Sequence, residues 1–265
     1  MDFRVLNARF SSVNVLEIKN LTQDFGGLRA LDSVSLTIKE GQVFGLIGPN
    51  GAGKTTLFNL VTGIYRPTSG EILFQEQTIN KLQPHLLARA GIGRTFQNIR
   101  LFKKMSVLDN VKIGMHAVTH TGFLTGLIHT PGAIREEKAI RNRCIELLKL
   151  VGLENRSMEL AASLAYGEQR RLEIARALAL NPVLLLLDEP AAGMNATEKE
   201  ELLGYIRQIQ SMGITILLVE HDMNVVMRIC ECIAVLNYGR KIAEGTPDQV
   251  ANNEQVIKSY LGAAK

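Results

Sequence analysis

The sequence is poor in cysteine, and this excludes a protein held together by a disulfide framework. Its 265 residues include three cysteines, Cys144, Cys230 and Cys232. A small, odd number of cysteines is typical of chains from a reducing compartment. Cys230 and Cys232 form a C-x-C pair, but the sequence has no second pair of thiols to complete a zinc site. We therefore expect this pair to pack in the core of a cytoplasmic protein.

The sequence also lacks a strong charge imbalance and a long apolar run. Lysine and arginine total 30, against 26 aspartate and glutamate residues. This near balance gives little support to nucleic-acid binding, which needs a basic patch or stripe. Apolar runs such as 183–187 and 214–219 are far shorter than the roughly 18–20 residues that span a bilayer. The N-terminus, MDFRVLNARF, carries charges where a secretion signal needs an apolar block. We expect a chain that neither crosses a membrane nor binds nucleic acid.

The sequence does contain a regular alternation of strand and helix patterns. Stretches rich in β-branched residues alternate with amphipathic stretches, which predicts an α/β fold with a mostly parallel sheet. Residues 13–18 and 34–38 are predicted to be antiparallel strands, and 43–47 a buried strand followed by a helix over 55–62. The content of 46% hydrophobic residues is sufficient for the core of one globular unit.

The segment 84–162 has a different pattern, which predicts an inserted helical subdomain. Ser106 and Asp109 have the spacing of a capping box at a helix start. The least regular part, residues 116–132, is predicted to be a loop or a pair of short helices. Apolar residues recur at helical spacing near the end of the segment, at Ile140, Cys144, Leu147, Leu148 and Val151.

The strand pattern returns with VLLLLDE and ITILLVE, two apolar runs that predict buried strands. Between them, Thr197 and Glu200 have capping-box spacing and predict the start of another helix. A hairpin over 237–240 and a short C-terminal helix are expected to complete the chain.

Residues 48–55, GPNGAGKT, match the phosphate-binding loop G-x-x-x-x-G-K-[ST] and lie between a predicted strand and a predicted helix. Glycines let backbone N–H groups turn toward phosphate oxygens, and the helix N-terminus adds a positive potential. Lys54 is expected to reach the β and γ phosphates of a nucleotide, and Thr55 to bind Mg²⁺. The expected nucleotide-binding residues of this loop are Gly48, Asn50, Gly51, Gly53, Lys54, Thr55 and Thr56. The loop alone does not separate kinases, GTPases, motors and transport ATPases.

Polar residues end both buried strands that follow. Ligands of open α/β sheets bind at the carboxyl ends of strands, where Asp188 and Glu189 lie. Asp188 is expected to hold the Mg²⁺ shell, and Glu189 to act on the attacking water as a general base or by orienting it. His221 follows ITILLVE in the same way and is expected to contact the γ-phosphate and the water.

The stretch LAYGEQRRLEIARAL, residues 164–178, resembles the signature of the ATP-binding cassette (ABC) family of transport ATPases, LSGGQ followed by a basic helix. Physically it is a second anion site, a glycine-containing turn that leads into a helix N-terminus. The resemblance implies that Ala165, Tyr166, Gly167 and Glu168 close over ATP bound to an opposite subunit. Ala165 replaces a serine and Tyr166 a glycine, so backbone donors must carry more of the contact. Glu168 replaces a glutamine and puts a negative charge near the anion.

Further residues correspond to family positions. The resemblance implies that Phe25 stacks on adenine and that Gln97, in RTFQ, reaches both Mg²⁺ and the water. In the loop after Glu189, Asn195 stands where many relatives have aspartate.

The resemblance covers residues 13–261 and implies one ABC ATPase domain, with a nucleotide-binding core lobe over 13–83 and 163–261 and the helical subdomain between. Its implied cofactors are ATP and Mg²⁺. The implied partners are a second, related ATPase subunit arranged head to tail, transmembrane permease subunits, and an extracytoplasmic substrate-binding protein that acts through the permease. The implied location is the cytoplasmic face of the inner membrane.

Several motifs are most similar to the larger ATPase subunit of bacterial branched-chain amino acid importers: LAYGEQRRLEIARAL, EPAAGMN, RTFQNIRLF and HTGFLTGLIHTP. Three alternatives stay open: an ABC transporter for another substrate, a soluble ABC ATPase of DNA repair or translation, and a P-loop kinase. The soluble ATPases would be expected to carry a long coiled coil, a second cassette or a zinc module, and a kinase would leave LAYGEQRR without a purpose.

Overall fold

A computed structural model of the chain describes residues 14–116 and 131–261 and contains two β-sheets in that part of the chain. The strand order is β2-β1-β4-β5 in the first sheet and β10-β9-β3-β8-β7-β6 in the second. The strands are β1 (Asn14–Phe25), β2 (Leu28–Lys39), β3 (Val43–Ile47), β4 (Ser69–Phe74), β5 (Gln77–Thr78), β6 (Ile92–Arg94), β7 (Leu184–Asp188), β8 (Thr215–Val219), β9 (Cys232–Asn237) and β10 (Arg240–Gly245).

Helices connect the strands and pack against them. They are α1 (Lys54–Val61), α2 (Pro84–Ala90), α3 (Val107–His116), α4 (Pro131–Leu150), α5 (Tyr166–Leu178), α6 (Ala196–Ser211), α7 (Met223–Ile229), α8 (Pro247–Ala251) and α9 (Glu254–Leu261). The predicted hairpin at 237–240 is confirmed, since β9 and β10 pair antiparallel across it. The short C-terminal helix proves to be two helices, α8 and α9. Within the described residues, no helix combines the length and apolar character that crossing a membrane requires.

The first sheet is antiparallel, as predicted, but its first two strands are longer than the predicted 13–18 and 34–38. Each has 12 residues. Their pairing register shifts at several points, and Asn20 and Ser33 have positive φ angles of 47° and 53°. Such bulges break the alternation of inward and outward side chains, so the strands extend beyond their regular sequence pattern.

The second sheet is parallel except for β10, which confirms the predicted architecture. All five residues of β3, β7 and β8 are buried. In β7, Leu185 and Leu187 belong to one hydrophobic cluster while Leu184 and Leu186 belong to the other, so the sheet separates two cores. A parallel sheet covered on both faces is encoded by continuous apolar runs, which is why VLLLLDE and ITILLVE identify these strands.

The predicted helical segment contains α2, α3 and α4 but also one strand, because β6 pairs in parallel with β7. Cys144, Leu147, Leu148 and Val151 are all buried, as their spacing predicts. Ser106 accepts a hydrogen bond from the Asp109 N–H at 3.0 Å at the start of α3. Residues 117–130, which form most of the predicted irregular part at 116–132, lie outside the described part of the chain. So does residue 13, the first residue of the predicted strand 13–18.

The predicted capping box at Thr197 and Glu200 is wrong, because α6 begins two residues earlier. Asn195 is its N-cap, and its side chain accepts a hydrogen bond from the Glu198 N–H at 3.0 Å. Glu198 returns the bond by accepting from the Asn195 N–H at 2.9 Å. Asparagine is a stronger N-cap than threonine, and Glu200 pairs instead with Arg228.

Candidate functional site

The phosphate-binding loop joins β3 to α1 and depends on glycine at defined positions. Gly51 and Gly53 have φ angles of +77° and +102°. A Cβ atom added to Gly53 would lie 2.7 Å from both the Ala30 carbonyl oxygen and the Leu31 side chain. The backbone therefore packs against β2 with no room for a side chain, and the loop leads directly into the N-terminus of α1.

Lys54 is buried at the first position of α1, and its ammonium group is turned onto its own loop. Its Nζ donates hydrogen bonds to the carbonyl oxygens of Gly48 at 2.6 Å and Pro49 at 3.0 Å. Burial lowers the pKa of Lys54, while the charges of Glu189 and Asp188 act in the opposite direction. The loop's own carbonyl oxygens thus satisfy the buried ammonium group.

A cavity of about 450 Å³ lies over this loop. That volume falls in the range of small-molecule sites. Most of the predicted site residues line it: Phe25, Asn50, Gly51, Gly53, Lys54, Thr55, Thr56, Gln97 and Glu189. Ala52, inside the phosphate-binding motif but not among its predicted binding residues, also lines it. Further lining residues that no motif identified beforehand are Leu28, Arg29, Ala30, Tyr238 and Gly239. Gly48, Asp188, His221 and the signature residues are not among the lining residues.

Asp188 ends β7 and is 4% exposed. Its carboxylate lies 3.7 Å from the Arg94 guanidinium, and its N–H donates to the Thr95 hydroxyl at 3.2 Å. Burial raises the pKa of Asp188, although the charge of Arg94 acts to lower it. A buried carboxylate whose pKa stays raised despite its basic neighbours is well suited to a metal cation, which would stabilise its ionised form.

Glu189, Gln97 and His221, the three predicted catalytic residues, are brought together at one carboxylate oxygen. Gln97 Nε2 donates to Glu189 Oε2 at 3.2 Å, and His221 Nδ1 lies 3.7 Å from the same oxygen. Glu189 has a φ angle of +48°, a strained backbone conformation for a residue with a side chain. Its N–H donates to the Val219 carbonyl at 2.9 Å, which fixes the strained residue to the end of β8.

Phe25 lies at the turn between β1 and β2, on the rim of the cavity. It is 39% exposed, and its ring packs edge to face against Tyr65 with a centroid separation of 5.1 Å. Phe25 is therefore a surface aromatic residue rather than part of the core. Its ring is available for stacking at the cavity.

The signature residues form the first turn of α5, which Ala165 precedes in an extended conformation. Glu168 accepts a hydrogen bond from the Ala165 N–H at 2.8 Å and forms an ion pair with Arg156. Burial acts to raise the pKa of Glu168, but the bonds from Arg156 and Ala165 lower it overall. The negative charge that the sequence puts near this turn is thus compensated within the chain.

The signature turn also packs against the loop that follows Glu189. A Cβ atom on Gly167 would lie 2.8 Å from a carboxylate oxygen of Glu198, and one on Gly193 would lie 3.1 Å from the Tyr166 ring. Tyr166 is nevertheless 47% exposed. The turn and the loop therefore form one continuous surface with an open aromatic side chain.

Two basic residues of α5 contact the segment around Gln97, a role that the signature motif alone does not predict. Arg170 donates to the carbonyl oxygens of Phe96, at 2.7 Å, and Gln97. Arg176 donates to the Arg100 carbonyl. Glu173, 1% exposed between these arginines, accepts from the Arg100 N–H at 3.2 Å.

Glu220 is a further residue that no motif identifies. It is fully buried at the end of β8, directly before His221. Its carboxylate accepts hydrogen bonds from the N–H groups of Ala191 at 2.7 Å and His221 at 3.2 Å. The one available sequence signal is a charged residue that ends the apolar run ITILLVE.

Comparisons with known proteins identify the family. The family model described as ABC transporter matches residues 31–192, and one described as branched-chain amino acid ATP-binding cassette transporter matches residues 240–265. Over 251 residues the chain is 47% identical to the high-affinity branched-chain amino acid transport ATP-binding protein BraF of Pseudomonas aeruginosa, and 45% identical to LivG of Escherichia coli. Each alignment covers 94% of this chain and 98% of the relative.

A solved structure is similar over nearly the same length. The ADP conformation of an ATP-binding cassette of an ABC transporter, MJ1267, superposes with a TM-score of 0.82 at 31% identity, covering 94% of this chain and 99% of that chain. The chain therefore belongs to the ABC transporter family, in which it is an ATP-binding subunit.

Proposed function

We propose that the chain binds ATP with Mg²⁺ in the cavity over the phosphate-binding loop and that Glu189, with Gln97 and His221, promotes hydrolysis. One observation carries the proposal: Lys54 and Thr55, which suit a triphosphate, line the same cavity as Gln97 and Glu189. The narrow glycine loop beside an aromatic rim fits a nucleotide, with Phe25 at the base and the loop at the phosphates.

Each side chain has a distinct task in this proposal. Lys54 exchanges the carbonyl oxygens of Gly48 and Pro49 for phosphate oxygens. The side-chain oxygens of Thr55, Gln97 and Asp188 suit Mg²⁺, which prefers oxygen ligands. Bound Mg²⁺ would neutralise charge on the phosphates. Glu189 orients or deprotonates the attacking water.

Gln97 and His221 both lie at one oxygen of the Glu189 carboxylate, Oε2, and thereby help to hold Glu189 in position to act on the water. The second oxygen, Oε1, is then the one directed to the water. The His221 ring, 62% exposed, is accessible to a γ-phosphate.

The proposed active unit contains two cassettes. Ala165, Tyr166, Gly167 and Glu168 do not line the cavity of their own chain, so we assign them to the ATP of an opposing subunit in a head-to-tail pair. Because Arg156 compensates Glu168, the N–H groups at the start of α5 can face a phosphate without an opposing net charge. ATP would favour the closed pair because only that state completes both sites.

We further propose that hydrolysis powers import of branched-chain amino acids. The relatives BraF and LivG carry this function in their names, and a family model of the same transporters matches the C-terminal part of the chain. The second cassette would be a related chain, and the partners would include permease subunits at the cytoplasmic face of the membrane and an extracytoplasmic substrate-binding protein.

Replacement of Glu189 with glutamine tests the catalytic part of the proposal. The amide keeps the size of the side chain but is a far weaker base, so kcat should fall by about 100-fold or more while ATP affinity is retained. The control is Glu146→Gln, because Glu146 lies 66% exposed on α4 with Arg143 as its partner. Steady-state ATPase rates of the full-length chain with its partner subunits, and ATP titrations of the chain, supply both quantities. Unchanged turnover in Glu189→Gln would contradict the role of Glu189.

Co-purification tests the transport part. With the permease subunits and the related ATPase subunit co-expressed, the chain should be recovered with membranes. Vesicles carrying this complex, supplied with the substrate-binding protein, should accumulate leucine, isoleucine or valine in an ATP-dependent manner. Recovery only in the cytosol would favour a soluble ABC ATPase. Membrane association without amino acid uptake would favour a transporter for another substrate.

A further inference from the structure

Glu220 is the most completely buried acidic side chain of the described residues that no proposed catalytic role uses. It is 0% exposed. A buried carboxylate is costly unless hydrogen bonds replace its lost hydration. Here the replacement comes from the backbone: Oε1 accepts from the Ala191 N–H at 2.7 Å, and Oε2 from the His221 N–H at 3.2 Å.

The bond to Ala191 joins the loops that carry the two catalytic side chains, while the bond to His221 fixes the carboxylate within its own loop. Ala191 lies two residues after Glu189, and His221 directly follows Glu220 itself. The Glu189 N–H is fixed separately to the Val219 carbonyl at 2.9 Å. The turn at 189–191 is thus attached at both ends to consecutive residues at the end of β8.

A second link, between α6 and the loop of His221, lies nearer the surface and cannot replace the first. Lys199 of α6 pairs with Asp222 at 2.6 Å, and both side chains are partly exposed. Solvent-accessible ion pairs constrain geometry weakly because they are screened and their side chains are flexible. The carboxylate of Glu220 bonds instead to two backbone N–H groups and is shielded from water.

We propose that Glu220 is a positioning residue that sets the relative placement of Glu189 and His221. This rests on the catalytic roles given to those two residues in the proposed function. Glu220 does not reach the cavity and touches no nucleotide. Its carboxylate holds the strained turn of Glu189 against the loop of His221, so that the two side chains meet 3.7 Å apart.

Two substitutions test separately the number of acceptor oxygens and the length of the Glu220 side chain. Glu220→Gln keeps the size but has one acceptor oxygen, so its NH₂ must face either the Ala191 or the His221 N–H. Glu220→Asp keeps the charge but is one methylene shorter, so it cannot hold both loops. Glu146→Gln on α4 is the control, since its exposed side chain lies in the helical segment.

ATP affinity, with a fluorescent ATP analogue, and the unfolding temperature are measured on the full-length chain. The kcat at saturating ATP is measured on the same chain with its partner subunits. We expect kcat to fall by about tenfold or more in both Glu220 variants, because each variant loses at least one of the two hydrogen bonds that the carboxylate accepts. Affinity should change by no more than about twofold, because the phosphate loop is untouched. The control should match the parent chain in all three measurements.

The possible results distinguish this inference from the proposed function. Full turnover in either folded Glu220 variant overturns the inference, as does an affinity loss that matches the loss of kcat, which indicates general disruption of the site. If one variant fails to fold, the other decides. Absence of ATP turnover in the parent chain itself, with its partner subunits present, overturns the proposed function.

Discussion

Gly48, the first glycine of the phosphate-binding loop, allows a quantitative test of how the loop is held. Its φ angle is +150°, and a Cβ atom there would lie 2.1 Å from the Leu236 carbonyl oxygen and 3.1 Å from the Ala52 Cβ. Leu236 belongs to β9, which pairs with β3 beside the loop. A Gly48→Ala variant must therefore move the loop away from the sheet, whereas Gly51→Ala, at +77°, meets no atom within 4 Å.

The two variants should differ by a predictable free energy of unfolding. A residue with a side chain in a glycine-only conformation costs about 1–3 kcal/mol, and displacement of packed backbone adds about 1–3 kcal/mol. Gly48→Ala should thus lose about 2–6 kcal/mol, while Gly51→Ala should lose only about 1–2 kcal/mol for its left-handed backbone. For a chain of this size, each kcal/mol lowers the Tm by about 2–4 °C.

Thermal unfolding of both variants, followed by circular dichroism without nucleotide, measures the difference. We expect Gly48→Ala to unfold at a clearly lower temperature than Gly51→Ala, which in turn should lie slightly below the parent chain. Equal Tm values for the two variants would refute the reasoning, because the contact with Leu236 would then carry no cost. Omission of nucleotide is essential, since bound ligand stabilises the folded chain by mass action.

Two further predictions concern the rim of the cavity and the start of α6. Phe25→Ala should weaken ATP binding by about 1–3 kcal/mol through lost stacking and leave tripolyphosphate binding unchanged in calorimetric titrations; an equal loss for both ligands would contradict a base-stacking role. Asn195→Ala should lower the free energy of unfolding by about 1 kcal/mol, measured by urea denaturation, whereas Thr197→Ala should change it by less than about 0.5 kcal/mol. A larger effect of Thr197→Ala than of Asn195→Ala would show that Asn195 is not the cap.

The sequence predicts those features whose cause is local. The phosphate-binding loop and the strands β7 and β8 are encoded by neighbouring residues, either glycines at fixed spacing or continuous apolar runs, and they lie where predicted. The start of α6 is a different case, because Asn195 and Thr197 are both capping residues followed by glutamate three positions later. Two equivalent local signals cannot be ranked without the packing around them. The three-residue strand β6 is likewise too short to carry a pattern.

The contacts that arrange the candidate site are mostly invisible in the sequence because they join distant residues. In the sequence, Glu168 is an unfavourable charge near an anion site. In the fold, Arg156, twelve positions earlier, pairs with it. In the sequence, Glu220 is only the last residue of an apolar run. In the fold, it accepts a hydrogen bond from Ala191, 29 positions earlier, in the turn that follows Glu189. Local motifs thus predict which groups approach a nucleotide, whereas the residues that orient those groups require the tertiary structure.

The segment around Gln97 links two parts of the proposed machinery. The Gln97 side chain contacts Glu189. The Gln97 carbonyl oxygen accepts a hydrogen bond from Arg170 of α5, the helix that begins with the signature. Burial raises the pKa of Glu173 beside Arg170, but hydrogen bonding from the Arg100 N–H and the charges of Arg176 and Arg170 act to lower it. Because separating such a buried ionic cluster is costly, this segment is attached more firmly to α5 than to the cavity, where it has one 3.2 Å side-chain bond. We therefore expect any displacement of this segment to move the start of α5 together with Gln97, and to separate Gln97 from Glu189 before the contact with α5 breaks.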